Sequence, residues 1–177
     1  GLCQVRVNFT KFLQDVIEMR QLIYMLSIFL AVSLAGADVL INEMLSNPAK
    51  DWNGNGAVSG MDDEFIELYN SGNESVDVSG YVLKDTVFRS TPGEYALPEG
   101  TVIGPKDLLV IFVSTSGVFQ GNDGDAIKLY DPSGNLVDEM EYDATKEDVS
   151  FARIPDGGEW SNSTVPTPGK PNQQTAL

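Results

Sequence analysis

The sequence predicts an all-β domain, an antiparallel β-sandwich of about seven to nine strands. Three observations carry that expectation. From Val39 onward the apolar stretches are short and are broken by Gly, Pro, Asn and Asp. Apolar and polar residues alternate within them, as in Phe65-Ile66-Glu67-Leu68-Tyr69, where Ile66 and Leu68 face one way. No stretch beyond Ala37 sustains a helical period. A barrel is the alternative closure of the same pattern.

Taken in order, the expected strands are Val39–Leu45, Glu64–Asn70, Val76–Asp85, Tyr95–Leu97, Asp107–Val113, Ala126–Tyr130, Leu136–Tyr142 and Ser150–Ile154. Leu108 to Val113 is continuously apolar, as a central strand covered on both faces is. Asp131-Pro132-Ser133-Gly134-Asn135 separates two alternating runs and reads as a hairpin turn. Gly121-Asn122-Asp123-Gly124-Asp125 reads as a second tight turn. Residues 164–177 carry Pro166, Pro168 and Pro171, so this segment is expected to lie over a sheet edge or hang free rather than run as a central strand.

The first 37 residues differ in kind. Leu22 to Leu34 is nearly continuous apolar sequence, with Arg20 before it and Ala35-Gly36-Ala37 behind. That order of cationic, apolar and small-residue segments is the pattern of a secretory signal. The run falls short of the ~20 residues that a membrane-spanning helix needs, which favours a cleaved signal over a retained anchor. The expected organisation is an extension over 1–18, a signal over 19–37, the sandwich over 38–172 and a tail over 173–177.

Of 177 residues, 11 are Lys or Arg and 26 are Asp or Glu, a formal net charge of −15. The leader carries Arg6, Lys11 and Arg20 against Asp15 and Glu18, so eight basic and 24 acidic residues remain after it. Nucleic acid is disfavoured as a partner, because phosphate binding needs clustered cations. There is no histidine, which removes Ser-His-Asp and Cys-His hydrolysis and His-ligated zinc. Cys3, the one cysteine, leaves with the leader, so an exported domain has no disulfide to hold it.

Several segments together resemble the lamin-tail domain. They are Val39-Leu40-Ile41-Asn42-Glu43, Asp63 to Asn70, Val76 to Leu83, Leu97-Pro98-Glu99-Gly100-Thr101, Gly124 to Leu129, Arg153-Ile154-Pro155-Asp156-Gly157 and Thr167 to Asn172. The ordered set is specific and covers Val39 to Asn172. The resemblance implies an immunoglobulin-like sandwich, in agreement with the strand pattern. It points to the exported prokaryotic members, which stand alone or are appended to surface proteins and secreted hydrolases, and in which the domain serves binding or attachment. No heptad segment is present, so filament assembly is not implied.

Asp51-Trp52-Asn53-Gly54-Asn55-Gly56-Ala57-Val58-Ser59-Gly60-Met61-Asp62 has the spacing of a twelve-residue calcium loop. Asp51, Asn53, Asn55, Ser59 and Asp62 place oxygen at positions 1, 3, 5, 9 and 12, Ala57 offers its carbonyl at 7, and Gly56 permits the turn at 6. Asp63 and Glu64 follow at once, so any of the three acids can close the loop. The spacing resembles dockerin loops, although strands rather than helices flank it. Val58 is expected to pack the loop onto the domain. With so few carboxylates, affinity is expected in the extracellular range of ~10⁻⁴ to 10⁻³ M. The competing reading is a solvated Asn-Gly turn holding no ion.

Glu43 and Glu67 are a possible acid–base pair, but their place within strand sequence favours structural roles. Trp52, Trp160, Phe88, Tyr95 and Phe119 suit core or loop-anchoring roles more than a contact surface. The functional expectation is a non-enzymatic, calcium-stabilised module that is secreted or held at the cell surface. Its partner is expected to be a protein or polysaccharide, with membrane contact only if the leader is retained. The alternative is an accessory part of a secreted metal-dependent hydrolase or nuclease, or that enzyme itself.

Overall fold

The computed structural model describes residues 11–17, 19, 39–86 and 93–173. The chain divides into two units, Gly1–Gly36 and Ala37–Leu177. In the first, residues 11–17 are helical. The apolar run and small-residue exit of the expected signal lie outside the described residues, as do Phe88 and most of the 173–177 tail. Among the described residues no helix is long and apolar enough to cross a membrane.

The second unit contains eleven strands among its described residues: β1 (Val39–Leu45), β2 (Phe65–Asn70), β3 (Val76–Asp77), β4 (Val82–Lys84), β5 (Glu94–Ala96), β6 (Val102–Ile103), β7 (Leu108–Phe112), β8 (Gly124–Tyr130), β9 (Leu136–Asp143), β10 (Ser150–Ile154) and β11 (Glu159–Thr164). All their pairings are antiparallel. One sheet has five strands in the order β11-β10-β1-β2-β7, a second has four in the order β5-β4-β8-β9, and β3 pairs with β6 in a short ribbon. Ile41, Met44, Ile66 and Leu68 from the first sheet meet Leu83, Ile127, Leu129 and Met140 from the second in one buried core. This is an immunoglobulin-like β-sandwich, built on the alternation that the sequence displays.

The differences from expectation have local causes. The expected strand over 76–85 is cut in two by a turn in which Tyr81 N–H reaches the Val78 carbonyl at 3.1 Å. Gly80 stands there at φ +73°, a conformation that side chains disfavour. β6 is two residues long, and β11 reads Glu-Trp-Ser-Asn-Ser-Thr, so neither offers an apolar alternation to detect. A single helical turn, Val113–Ser116, follows β7 and ends at Gly117 in the left-handed region.

The continuously apolar 108–113 run is not a central strand. β7 ends its sheet, and β1 holds the middle. The run is apolar because both faces of β7 are half-covered. Leu109 packs on the core, and Phe112 meets Phe65 edge-on with centroids 5.9 Å apart.

Candidate functional site

The 51–62 loop connects β1 to β2, and it is folded by its own side chains. Asp51 accepts from Asn55 N–H at 3.1 Å through one oxygen and from Gly56 N–H at 2.8 Å through the other. Asn53 Oδ1 accepts from Asn55 N–H at 2.9 Å, and Asn55 Oδ1 from Ala57 N–H at 2.8 Å. These are Asx turns nested in series, and they need short polar side chains at alternate positions. Gly56 sits at φ +90° where the loop reverses. Asn55 Nδ2 then donates to Asp62 Oδ2 at 2.7 Å, joining the two ends of the motif. The Ser59 hydroxyl accepts from Met61 N–H at 3.3 Å.

The three acids after the loop separate by role. Asp62 is half-buried and turned toward the loop interior through Asn55. Asp63 is fully buried, and its carboxylate accepts from Trp52, Asn53 and Ser59 N–H at 2.9 to 3.0 Å. It is the knot that ties the loop to the start of β2. Glu64 is buried and accepts from Gln120 N–H at 3.1 Å. Asp62 is therefore the acid best placed to close a ligand set with Asp51.

Val58 is 60% exposed and does not anchor the loop. Trp52 does so instead. Its indole N–H donates to Asp148 Oδ1 at 2.9 Å, and Lys50 lies over its ring while pairing with Asp148 at 3.1 Å. Asp148 also accepts from Ala49 N–H at 2.9 Å. The indole's polar tip chose this position, a preference that a hydropathy pattern does not register.

The residues suit calcium in type: two carboxylates, two amide oxygens, a hydroxyl and a carbonyl, all hard oxygens. Among the described residues no group of three or more His, Cys, Asp and Glu side chains is gathered for a metal. The set is thus poor in charge, with Asp51 and Asp62 its two carboxylates. An ion between Asp51 and Asp62 would take the place of the Asn55 amide N–H beside Asp62.

Glu43 and Glu67 form a different assembly on the outer face of the five-stranded sheet. A bulge between Ile41 and Glu43 makes both Asn42 and Glu43 meet Glu67 on β2. Glu43 accepts from the Ser150 hydroxyl at 2.6 Å and from Thr167 N–H at 3.0 Å. Glu67 accepts from Asn42 Nδ2 at 3.1 Å and Gly169 N–H at 2.7 Å. Asn172 donates to the Asn42 and Arg153 carbonyls at 3.2 and 3.1 Å. The proline-bearing segment expected to lie over an edge or hang free is a strap, its residues 167–172 sealing this layer. Burial raises both carboxyls to about 7. Both glutamates are fully buried, so the pair has no opening to a substrate. Sequence reasoning missed this layer because Ser150, Thr167, Gly169 and Asn172 reach β1 and β2 from 102 to 130 positions away, a pairing that no local pattern records.

Fold and site together define an immunoglobulin-like module whose most elaborated loop is an Asx-rich turn. The chain belongs to the lamin tail domain family, whose model matches residues 33–144. β10, β11 and the strap lie beyond the matched span and complete the same sandwich. Among curated proteins, none matches the chain.

Proposed function

We propose that this chain is a non-enzymatic, exported β-sandwich module, stabilised by one calcium ion in the 51–62 loop and used for binding or attachment at the cell surface. The observation that carries the reading is the convergence of Asp51, Asn53, Asn55 and Asp62 on a loop reversed at Gly56. The nested turns order this backbone without an ion, which lowers the ordering cost of binding once the side-chain oxygens exchange their N–H partners for the cation. Calcium is favoured over magnesium because the loop offers many neutral oxygens and no rigid octahedron.

The mechanism is linkage between binding and folding. An ion that binds the folded loop only, at a hundred times its dissociation constant, adds about 2.7 kcal/mol to stability. For a domain without disulfides that is a substantial fraction of the total. Thermal melting in excess calcium should lie several degrees above melting in EDTA, and Asp51→Ala should abolish the difference while the apo domain still folds. Coincident melting curves for the unaltered protein would remove calcium from its function.

A further inference from the structure

The side of the sandwich where the two sheets end carries a feature unrelated to the calcium loop. β9 and β11 are the last strands of their sheets. Between them, over β10, lies a cleft of about 700 Å³. Phe151, Ile154 and Trp160 form its apolar floor, and Glu139, Glu141 and Glu159 stand around it. The floor is fixed, since Phe151 and Trp160 pack against the core and Phe151 also meets Tyr142 with centroids 5.5 Å apart.

The charges are one-sided. No Lys or Arg lines the cleft among the described residues. Arg153 lies 4.6 Å from the Trp160 ring centroid, but it is ion-paired to Asp138 at 3.2 Å. Glu139 has Lys128 at 3.1 Å, whereas Glu141 and Glu159 have no ion pair among the described residues. We propose that this cleft binds an extended peptide segment carrying Lys or Arg, with apolar side chains on the Trp160 floor and cationic ones on the glutamate rim. Strand edges on either side offer the main-chain pairing by which extended peptides add to sheets. The rim selects charge, and Trp160, whose ring already carries Arg153, adds apolar contact area. A neutral saccharide gains hydrogen bonds but no charge attraction from the rim. A second copy of this chain, at −15, is repelled by it. The inference deepens the binding-module reading and stands independently of calcium.

The test uses a short capped peptide alternating lysine with valine, its glutamate counterpart and a neutral oligosaccharide, each titrated calorimetrically at low salt. The lysine peptide should bind, weaken as salt rises and slow amide exchange at 139–143 and 159–164. Glu141→Lys with Glu159→Lys should cost at least about tenfold in affinity, while Glu74→Lys with Glu99→Lys, the same charge change on exposed residues outside the cleft, should cost about twofold or less. Asp51→Ala should leave peptide binding intact, which separates this site from the calcium reading. Absence of heat, equal loss in both double variants, protection elsewhere in the sandwich, or equal binding of either control ligand would overturn the proposal. The exchange measurement needs only the unaltered protein, so the proposal remains testable even if a variant misfolds.

Discussion

Two carboxylate-rich regions of the sandwich solve the same physical problem in opposite ways. In the 51–63 loop, acids meet main-chain N–H groups close in sequence; Asp51 reaches Gly56, and Asp63 reaches Ser59. In the layer on β1 and β2, acids meet partners from the far end of the chain; Glu43 reaches Thr167, and Glu67 reaches Gly169. The loop carboxylates organise a turn that faces solvent apart from its buried knot. The layer carboxylates are withdrawn from water, and their proton affinity rises as a result. A carboxylate's worth here follows from where its donors come from and how dry the site is, not from its residue type.

Removing the knot gives the largest expected effect. Asp63→Ala leaves three N–H donors without a partner at a fully buried position, and should cost about 3 kcal/mol or more. Urea denaturation measures it. Asp63→Asn should lie between the two, and a loss below about 1 kcal/mol for the alanine variant would show that water replaces the carboxylate easily.

Next in size is the response to pH. Because Glu43 and Glu67 titrate near 7 when folded, against 4.5 in the free state, the folded chain holds protons that the unfolded chain has released. Their contribution is full below about pH 4.5 and is lost as pH rises through 7. With EDTA present throughout, the domain should melt lower at pH 8 than at pH 5.5, and Glu43→Gln with Glu67→Gln should flatten the profile. A profile that stays steep in that variant would assign the effect to other groups.

The smallest effect distinguishes anchor from ligand. Trp52→Phe keeps most of the apolar contact but loses the indole bond to Asp148, and should cost about 1 kcal/mol. It should leave any calcium-dependent shift in melting in place. Differential scanning fluorimetry with and without calcium compares the two.

How much of this was legible in the sequence depends on the range of the interaction. β1 and β10 have the expected bounds, because both read as short apolar-rich runs ending at turn residues. The Asp131–Asn135 hairpin is present, with Asp131 accepting from Ser133 and Asn135 at 2.9 and 2.8 Å, since an Asx turn is encoded within a few residues. The loop's Asn and Gly spacing was visible for the same reason. The edge position of β7 was not, because hydropathy reports how covered a strand is and not which neighbour covers it. Nor was the strap's role visible: Gly169 acts through its amide and Thr167 through its amide and hydroxyl, and neither group marks in the sequence which distant acid it meets. Val58 stayed exposed because Asp63 and Trp52 already hold the loop.

The strap also constrains the order of events when the chain is produced from one end. Asn42 lies on the first strand, and its carbonyl is held by Asn172, 130 positions later. Glu43 likewise waits for Thr167 across 124 positions. Until those last residues emerge, the acidic face of β1 and β2 stays hydrated and the outermost contacts are missing, so closure is necessarily late and dominated by long-range pairing. Vectorial synthesis therefore leaves this outer layer uncovered until residue 172 is delivered.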